Sequence, residues 1–329
     1  MDNLTHSLVG AVLGQAGLKR TTGLAMPALI IGANLPDVDA ACFFWLEGTE
    51  HLAFRRGITH GPPALVLLPL ILAGILWGWD RWQERRGTRP EGRLPVSFRW
   101  LFLLGFIACL THPALDWLNV YGVRLLEPFS HRWFYGDTLF IVDVWLWAIL
   151  GFATWLSLRR EKLAGEWMKP ARVAMVVSLA YIGVNWIWSA NQTSTLSERL
   201  PYLECTDEAI EANVCDWTVI ASPVPFKPWH RELITDAPNA WHILDAGKPV
   251  QYDLLRPVTS SFCREFDPAA INDPNLELEA FLFWSRAPFA ERAPDGSVIL
   301  RDARFYDPRV RDRFSVALPQ VKCEELPSE

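Results

Sequence analysis

The hydrophobic positions of this chain are concentrated in long runs within its first part. Each of four runs is apolar over roughly the 17–20 residues that a bilayer core requires. They lie at 62–79, 98–115, 139–157 and 171–190. Polar stretches separate them, so the pattern predicts four membrane-spanning helices.

Two shorter apolar pieces, Leu8–Leu18 and Leu24–Leu35, precede these runs. Each is too short to cross a membrane alone. Lys19 and Arg20 lie between them. We therefore expect two short helices that pair as a hairpin against the bundle.

The rest of the chain alternates short apolar runs with turns, which is typical of strands. Strands are predicted at 217–223, 241–244 and 250–255, with a hairpin around 293–296 and a helix near 268–285 that starts at Asp267. The predicted fold class is an α-helical membrane bundle of about four spanning helices plus two short N-terminal helices, followed by a small α+β or β-rich soluble domain. The predicted domains are residues 1–190 and 191–329.

Charge divides the chain in the same way. Residues 1–190 hold 17 Lys and Arg against 14 Asp and Glu, and the remainder holds 14 against 23. A chain of net charge −6 without a basic tract argues against a nucleic-acid partner. Residues 1–7 lack the positive region of a cleavable signal peptide, so we expect internal segments to direct insertion into the membrane.

The positions of Lys and Arg predict an orientation, because these residues favour cytoplasmic loops. Thirteen lie in the connections 19–20, 80–99 and 158–172, and only four lie in the alternate connections. The predicted location is the bacterial inner membrane, with 80–97 and 158–170 in the cytoplasm. The segments 34–60 and 112–138 and the C-terminal domain would then be extracytoplasmic.

The cysteines agree with that orientation. Cys205, Cys215, Cys263 and Cys323 lie in the domain assigned to the oxidising side, where disulfides form. Four cysteines allow three pairings. The simplest is Cys205–Cys215 with Cys263–Cys323, and free thiols in a cytoplasmic domain are the alternative.

Ionisable residues at the ends of the apolar runs are the candidate chemistry. His112 and Asp116 are four residues apart, so they share a face if the helix continues through Pro113. The predicted topology brings further imidazoles and carboxylates to the same end of the bundle. These are His6, Asp37, Asp39 and His60. Such groups are costly at membrane depth unless they are paired or coordinated.

Imidazole and carboxylate together are typical ligands of zinc and similar divalent ions. An ion with open positions activates water and polarises a phosphoryl or carbonyl oxygen. Asp143, inside an apolar run, is either a further ligand or an ion-pair partner of Arg56 or Arg132. Arg56 and His131 are candidates for substrate binding, since arginine binds phosphate in a bidentate manner.

Several motifs in order resemble the YdjM/YbcI-type membrane-bound metal-dependent hydrolases. They are Met1–Gly14, Asn34–Asp39, Arg56–His60 and His112–Gly122. That family is similar, more distantly, to zinc-dependent phospholipases C and single-strand nucleases. The resemblance implies that His6, Asp37, His60, His112 and Asp116 bind metal and that Asp39 is a ligand or a catalytic general base. The second histidine pair of the distant relatives has no counterpart here, so one or two divalent ions are expected rather than three, with zinc as the expected metal.

Two functions remain open from the sequence. The first is a metal-dependent hydrolase that acts on a phosphodiester or lipid-linked substrate at the outer face of the membrane, with membrane lipids as partners. The alternative is a non-catalytic membrane protein with a structural metal or polar cluster and an outer domain that binds a partner.

Overall fold

The computed structural model describes residues 1–204, 218–236, 242–245, 256–257, 263 and 275–323. The chain divides into two compact units. The first contains Met1–Ala40 and Arg56–Trp186, and the second contains Ala41–Arg55 and Ile187–Glu329. The short segment after Ala40 therefore belongs with the C-terminal part, although the predicted boundary at 190 placed it in the first domain.

The described part of the chain is helical up to Glu204 and mixed thereafter. Its helices are α1 (Asn3–Gln15), α2 (Ala25–Gly32), α3 (His51–Phe54), α4 (Pro62–Arg85), α5 (Phe98–Trp117), α6 (Val144–Lys162), α7 (Met168–Glu204) and α8 (Leu276–Trp284). Short 3-10 helices occupy Leu18–Arg20, Leu35–Phe44 and Ile58–His60. The predicted fold class, a helical membrane bundle followed by a small domain with β-sheets, is confirmed.

Among the described residues, three helices are long and apolar enough to cross a membrane: α4, α5 and the part of α7 up to Glu198. A fourth candidate is a bent pair, in which α2 and Leu35–Phe44 meet at an angle of 54°. Only 17% of the α4 window and 22% of the α7 window is buried within the protein, as expected for helices that face lipid.

The predicted span at 139–157 is not among these helices. Residues 139–143 precede α6, whose N-cap is Asp143. The apolar part of α6 ends before Arg159, Arg160 and Lys162, so it is shorter than a bilayer core requires. The described residues therefore contain three candidate spans, or four if the bent pair counts as one span.

The first unit has its main core between α2, α4 and α5. Leu29, Leu101 and Leu104 are fully buried there. Gly10 lets α1 lie directly against α2, because a Cβ at this position would be 2.6 Å from the Leu29 carbonyl oxygen. Small residues allow this close approach of membrane helices. The predicted pairing of the two N-terminal helices is confirmed by their contacts.

The basic connections lie together at one end of the first unit. Lys19 contacts Glu161, and Thr22 Oγ1 donates to the Pro95 carbonyl at 3.1 Å. A cavity of about 560 Å³ at this end is lined by residues that include Lys19, Arg20 and Trp167. α4 and α5 run from this end to the opposite one, where His60 and His112 lie.

Within the described ranges, the second unit contains two antiparallel sheets. The first has the order β1-β2-β3-β4, and the second β5-β6-β7. The strands are β1 (Val219–Val224), β2 (Lys227–Thr235), β3 (His242–Asp245), β4 (Arg256–Pro257), β5 (Pro288–Arg292), β6 (Ser297–Asp302) and β7 (Ser315–Lys322). Ile220 and Ile234 of one sheet and Phe289 of the other share a core.

Most predicted elements of this unit are found. β1, β3 and the β5–β6 hairpin match the predicted strands, whereas 250–255 lies outside the described residues. α8 is capped by Asn275, whose side chain accepts from Leu278 N at 3.0 Å, and the predicted start at Asp267 also lies outside them. Cys263 and Cys323 form the predicted disulfide, while Cys205 and Cys215 are not described.

Candidate metal centre

α1 carries His6, and a cap fixes where this helix starts. The Asp2 carboxylate accepts from the backbone nitrogens of Leu4 and Thr5 at 3.0 and 3.1 Å. This cap satisfies N–H groups that the first turn leaves open. The Trp147 indole on α6 donates to Thr5 Oγ1 at 2.9 Å. His6 therefore lies on a helix whose first turn is anchored. The His6 side chain is fully buried.

Asp37 and Asp39 lie in the 3-10 segment Leu35–Phe44, directly after α2. Pro36 cannot extend the α2 hydrogen-bond ladder, which explains the change of helix type here. The Asn34 amide donates to the Ile30 carbonyl at 2.8 Å and to Ser7 Oγ at 3.0 Å. The turn that presents both carboxylates is thus fixed to α1 and α2.

His60 ends a short 3-10 helix, and the glycine after it is required by space. A Cβ at Gly61 would lie 1.9 Å from the Glu127 carbonyl oxygen. Arg56, four residues earlier, has a φ of 53°, which is uncommon for a residue other than glycine. Its backbone nitrogen donates to Asp39 Oδ2 at 2.8 Å. The carboxylate of Asp39 therefore holds this turn in place.

His112 and Asp116 lie on one face of α5, as the spacing predicts. α5 continues through Pro113 to Trp117. His112 Nδ1 lies 2.7 Å from the Ala33 carbonyl oxygen. Because a carbonyl can only accept, Nδ1 carries the proton, and Nε2 of a neutral His112 presents its lone pair to the cluster.

The same reasoning fixes the tautomer of His60. Thr59 Oγ1 lies 3.0 Å from Asp39 Oδ2 and 3.0 Å from His60 Nδ1. A carboxylate only accepts, so the Thr59 hydroxyl donates to Asp39 and accepts from Nδ1–H of His60. The Nε2 lone pair of His60 then also points to the cluster. Orientation of a histidine by a carboxylate in this way is typical of metal sites.

The three imidazoles converge on one carboxylate. Asp116 Oδ1 lies 3.5 Å from His6 Nε2, and its Oδ2 lies 3.4 Å from His60 Nε2 and 3.5 Å from His112 Nε2. Asp37 Oδ1 is 3.7 Å from His112 Nε2. The rings of His6 and His112 stack with centroids 3.7 Å apart. The five residues predicted as metal ligands therefore lie in one cluster.

These groups could hold a metal ion. Two groups have ligand atoms that lie within 4.8 Å of one another: His6, Asp37 and His112, and His60, His112 and Asp116. Ligands about 2.1 Å from a tetrahedral zinc are about 3.4 Å apart, close to the separations observed at Asp116. Both ring nitrogens of His6 and Nε2 of His112 are buried without a hydrogen-bond partner among the described residues. Coordination would satisfy these otherwise costly atoms.

Electrostatics favour the neutral, ligating form of His6. Burial lowers the pKa of His6 well below its usual value, and the neighbouring His112 lowers it further. A neutral imidazole is the form that binds metal. The negative charge of Asp116 is balanced by Arg56, whose Nε lies 3.2 Å from Oδ2, and Asp116 also contacts the Met1 backbone nitrogen.

Arg56 is held within the cluster. Its Nη1 donates to Asn119 Oδ1 at 3.1 Å and to the Gly122 carbonyl at 3.2 Å, and its guanidinium lies 4.4 Å from the centre of the Tyr121 ring. The sequence interpretation missed Asn119 and Thr59. Asn119 follows Asp116 by three residues at the end of α5, which was the available signal, whereas nothing in the sequence singled out Thr59.

The structure places the other predicted residues elsewhere or in other roles. Asp143 is neither a ligand nor the partner of Arg56 or Arg132, because it caps α6 and accepts from Tyr181 OH at 2.9 Å. The His131 side chain is exposed and its Nδ1 lies 2.8 Å from Glu127 Oε1. Substrate binding by His131 and Arg56 and the catalytic role of Asp39 stay predictions.

The comparison with protein families decides the affiliation. The model of the YdjM inner membrane protein family matches residues 1–192, which include every member of the cluster. The chain belongs to the YdjM inner membrane protein family. The family description agrees with the apolar helices of the first unit, whereas the second unit lies almost entirely beyond the match.

One curated relative of this YdjM-family chain is the uncharacterized protein YfhP of Bacillus subtilis (strain 168). The two are 28% identical over 141 residues, which is 40% of this chain and 39% of the relative. The chain thus spans about two fifths of that relative's length. No solved structure matches this chain.

Proposed function

We propose that this YdjM-family protein is a membrane-embedded, metal-dependent hydrolase. The observation that carries the proposal is the convergence of His6, His60 and His112 on Asp116, with Asp37 beside them. A structural zinc site is usually filled by four protein ligands. Five donors shared between two overlapping groups therefore favour a catalytic site with one or two ions, of which zinc suits the donor set best.

The chain's own residues have distinct roles in this proposal. Thr59 and Asp39 orient His60, and the Ala33 carbonyl orients His112. A bound divalent ion would supply an activated water and polarise the scissile group. Arg56 lies next to Asp116 with its guanidinium fixed by Asn119 and Gly122, and this position suits binding of an anionic substrate group.

The surroundings of the ligands favour a phosphodiester or lipid-linked substrate. Leu4, Val38 and Ile58 are exposed apolar side chains, and each lies within two residues of a proposed ligand. Exposed apolar side chains this close in sequence to the ligands, together with Arg56 in the cluster, suit a molecule with a lipid tail and an anionic head group. Action at the outer face of the membrane follows from the predicted orientation and is part of the proposal.

Burial of the donors supports a second candidate function. His6, His60, His112 and Asp116 have no solvent exposure, and the Asp37 side chain is only 6% exposed. A closed site of this kind suits a structural ion that stabilises the bundle. The protein would then act through its second unit as a partner-binding module.

One experiment separates these functions. Metal content is measured by mass spectrometry on purified wild type, on the double variant His60→Ala/His112→Ala, and on His131→Ala as a control with an exposed imidazole. We expect stoichiometric metal in wild type and in the control, and background metal in the double variant, because one donor of the first group and two donors of the second are lost. Equal metal in all three proteins would refute the metal centre.

The same proteins are assayed on a chromogenic phosphodiester and on a phospholipid in mixed micelles. Hydrolysis that follows metal content supports the hydrolase. Metal that is bound without hydrolysis of either compound supports the structural ion. A detergent-stable double variant with an unchanged helical circular dichroism spectrum shows that the loss is not due to unfolding.

A further inference from the structure

Three consecutive aromatic side chains of the second unit are exposed. Phe43 is 54% exposed, Phe44 91% and Trp45 59%. Phe54, at the end of α3, meets Trp45 edge to face with ring centroids 6.0 Å apart and is itself exposed. These four residues are called the aromatic tip. Contiguous exposed apolar surface of this kind marks an interaction site.

The aromatic tip is mounted on ordered structure. Thr49 Oγ1 donates to the Glu277 carbonyl on α8 at 2.9 Å, and α3 packs against α8. Leu52 of α3 is fully buried. The His51 ring lies 2.8 Å from the Gly48 carbonyl through Nδ1. The exposure of the aromatic side chains is therefore a property of a fixed surface.

The covalent context of the tip points to lipid as its occupant. Phe43 and Phe44 are the last residues of Leu35–Phe44, which together with α2 is apolar enough to cross a membrane but is bent by 54°. A segment of this type is a broken span or a re-entrant loop. Its aromatic end is thus continuous with a part of the chain that is already suited to lipid.

The Phe and Trp residues of the aromatic tip are typical of protein surfaces that lie in the interfacial region of a bilayer. Trp and Phe are favoured there, because an aromatic ring can lie at the level of the head groups. Acidic residues follow at once, at Glu47 and Glu50, so the apolar surface is short. The Arg55 guanidinium lies 5.5 Å from the centre of the Phe43 ring. An arginine above a shallowly inserted ring is placed to reach lipid phosphate.

We propose that the aromatic tip inserts into the interfacial region of the phospholipid bilayer and anchors the segment 41–55 to the membrane surface. The inference does not depend on the proposed hydrolase, since it concerns a surface outside the metal centre. It assigns a membrane contact to a unit whose sheets alone give no reason to expect one.

Photocrosslinking tests this contact directly. Phe44 is replaced by the photoreactive p-benzoylphenylalanine in the full chain, which is reconstituted in nanodiscs of phosphatidylcholine and phosphatidylglycerol. The matched control carries the same group at Arg309, an exposed position of the same unit. After irradiation, mass spectrometry should find about tenfold more phospholipid adduct at position 44 than at position 309, because only the tip reaches the acyl region.

A second variant carries the photoreactive group at Trp45, so that the result does not depend on a single substitution. Both variants should unfold at the wild-type temperature, since the replaced side chains are mostly exposed. Adducts with a second polypeptide in place of lipid would overturn the proposal in favour of a protein interface. Equal lipid labelling at 44, 45 and 309, or none at 44 and 45, would also overturn it.

Discussion

Two side chains outside the proposed ligand set, Thr59 and Asp39, orient a histidine of the candidate metal centre. Thr59 can donate only one proton, and it donates to Asp39, so its oxygen is left to accept from His60. Asp39 also accepts from the Arg56 backbone. The carboxylate thus sets both the tautomer of His60 and the turn that carries Arg56.

Asp39→Asn should weaken metal binding without abolishing it. Loss of the carboxylate removes the negative charge that orients His60, and such outer partners are worth about 10–100-fold in metal affinity. Competition titration with a chromophoric chelator measures the dissociation constant. Asp143→Asn is the matched control, because Asn retains an N-cap oxygen, and its affinity should equal that of wild type.

Complete loss of metal in Asp39→Asn, equal to that in Asp116→Asn, would instead make Asp39 a direct ligand.

Much of the detailed geometry of the site could not be predicted from the sequence. Helix spacing placed His112 with Asp116, but the side-chain tautomers depend on the Ala33 carbonyl and on the Asp39 carboxylate, which only the fold brings near. The role of Asp143 was readable, since an aspartate directly before an apolar helical run is a typical N-cap.

At the scale of elements, two aspartate–arginine pairs in the second unit have the same local geometry in opposite surroundings. Asp302 accepts from Arg304 Nε at 2.8 Å and from its Nη2 at 2.7 Å, and Asp307 accepts from Arg309 at the same two distances. The first pair is fully buried at the end of β6, whereas the second is largely exposed. The contributions of the two pairs to the free energy of unfolding should therefore differ strongly.

Arg304→Met should destabilise the second unit by about 3–5 kcal/mol, because it leaves a buried carboxylate without its counter-charge. Arg309→Met, the matched control, should unfold as wild type does, since exposed pairs contribute little. Thermal unfolding of the full chain, followed by tryptophan fluorescence, measures both. Equal losses in the two variants would contradict this account of burial.

The contribution of the Asp302–Arg304 pair to stability should depend on pH in a defined direction. Burial raises the pKa of Asp302, but the charge and hydrogen bonds of Arg304 outweigh this effect, so the pKa lies below the usual value of 3.8. The pair therefore contributes its full stability above pH 3.8 and loses it as the pH falls through the lowered pKa.

The strands around this pair were predicted from the alternation of apolar and polar residues. The pair itself was not predicted, because its burial depends on packing between sheet and loop.

For the whole molecule, the basic connections and the candidate metal centre lie at opposite ends of α4 and α5. The sequence predicted this separation from the bias of Lys and Arg and from the apolar run lengths. It misplaced one span, because α6 is apolar over too short a length, and it treated α2 as too short although α2 pairs with the following 3-10 segment. Run length alone does not reveal such a bent pair.

The side of the membrane on which each end lies stays a prediction. Alkaline phosphatase inserted within the loop 86–97 should be inactive, and the same enzyme fused after Glu329 should be active, because basic loops remain in the cytoplasm. Colony phosphatase activity and immunoblots for expression provide the measurement. The reverse pattern would place the metal centre on the cytoplasmic side.

The dispersion of the metal donors along the chain affects the order of biogenesis. His6 leaves the ribosome first, and His112 and Asp116 follow only after α4 and most of α5 have been synthesised. The His6 imidazole of α1 cannot be buried before α5 is inserted. α1 is therefore synthesised first but is among the last helices to reach its final packed position. If the cluster binds an ion as proposed, this binding completes the assembly of the bundle, and metal starvation during growth leaves newly made protein with an undocked N-terminus.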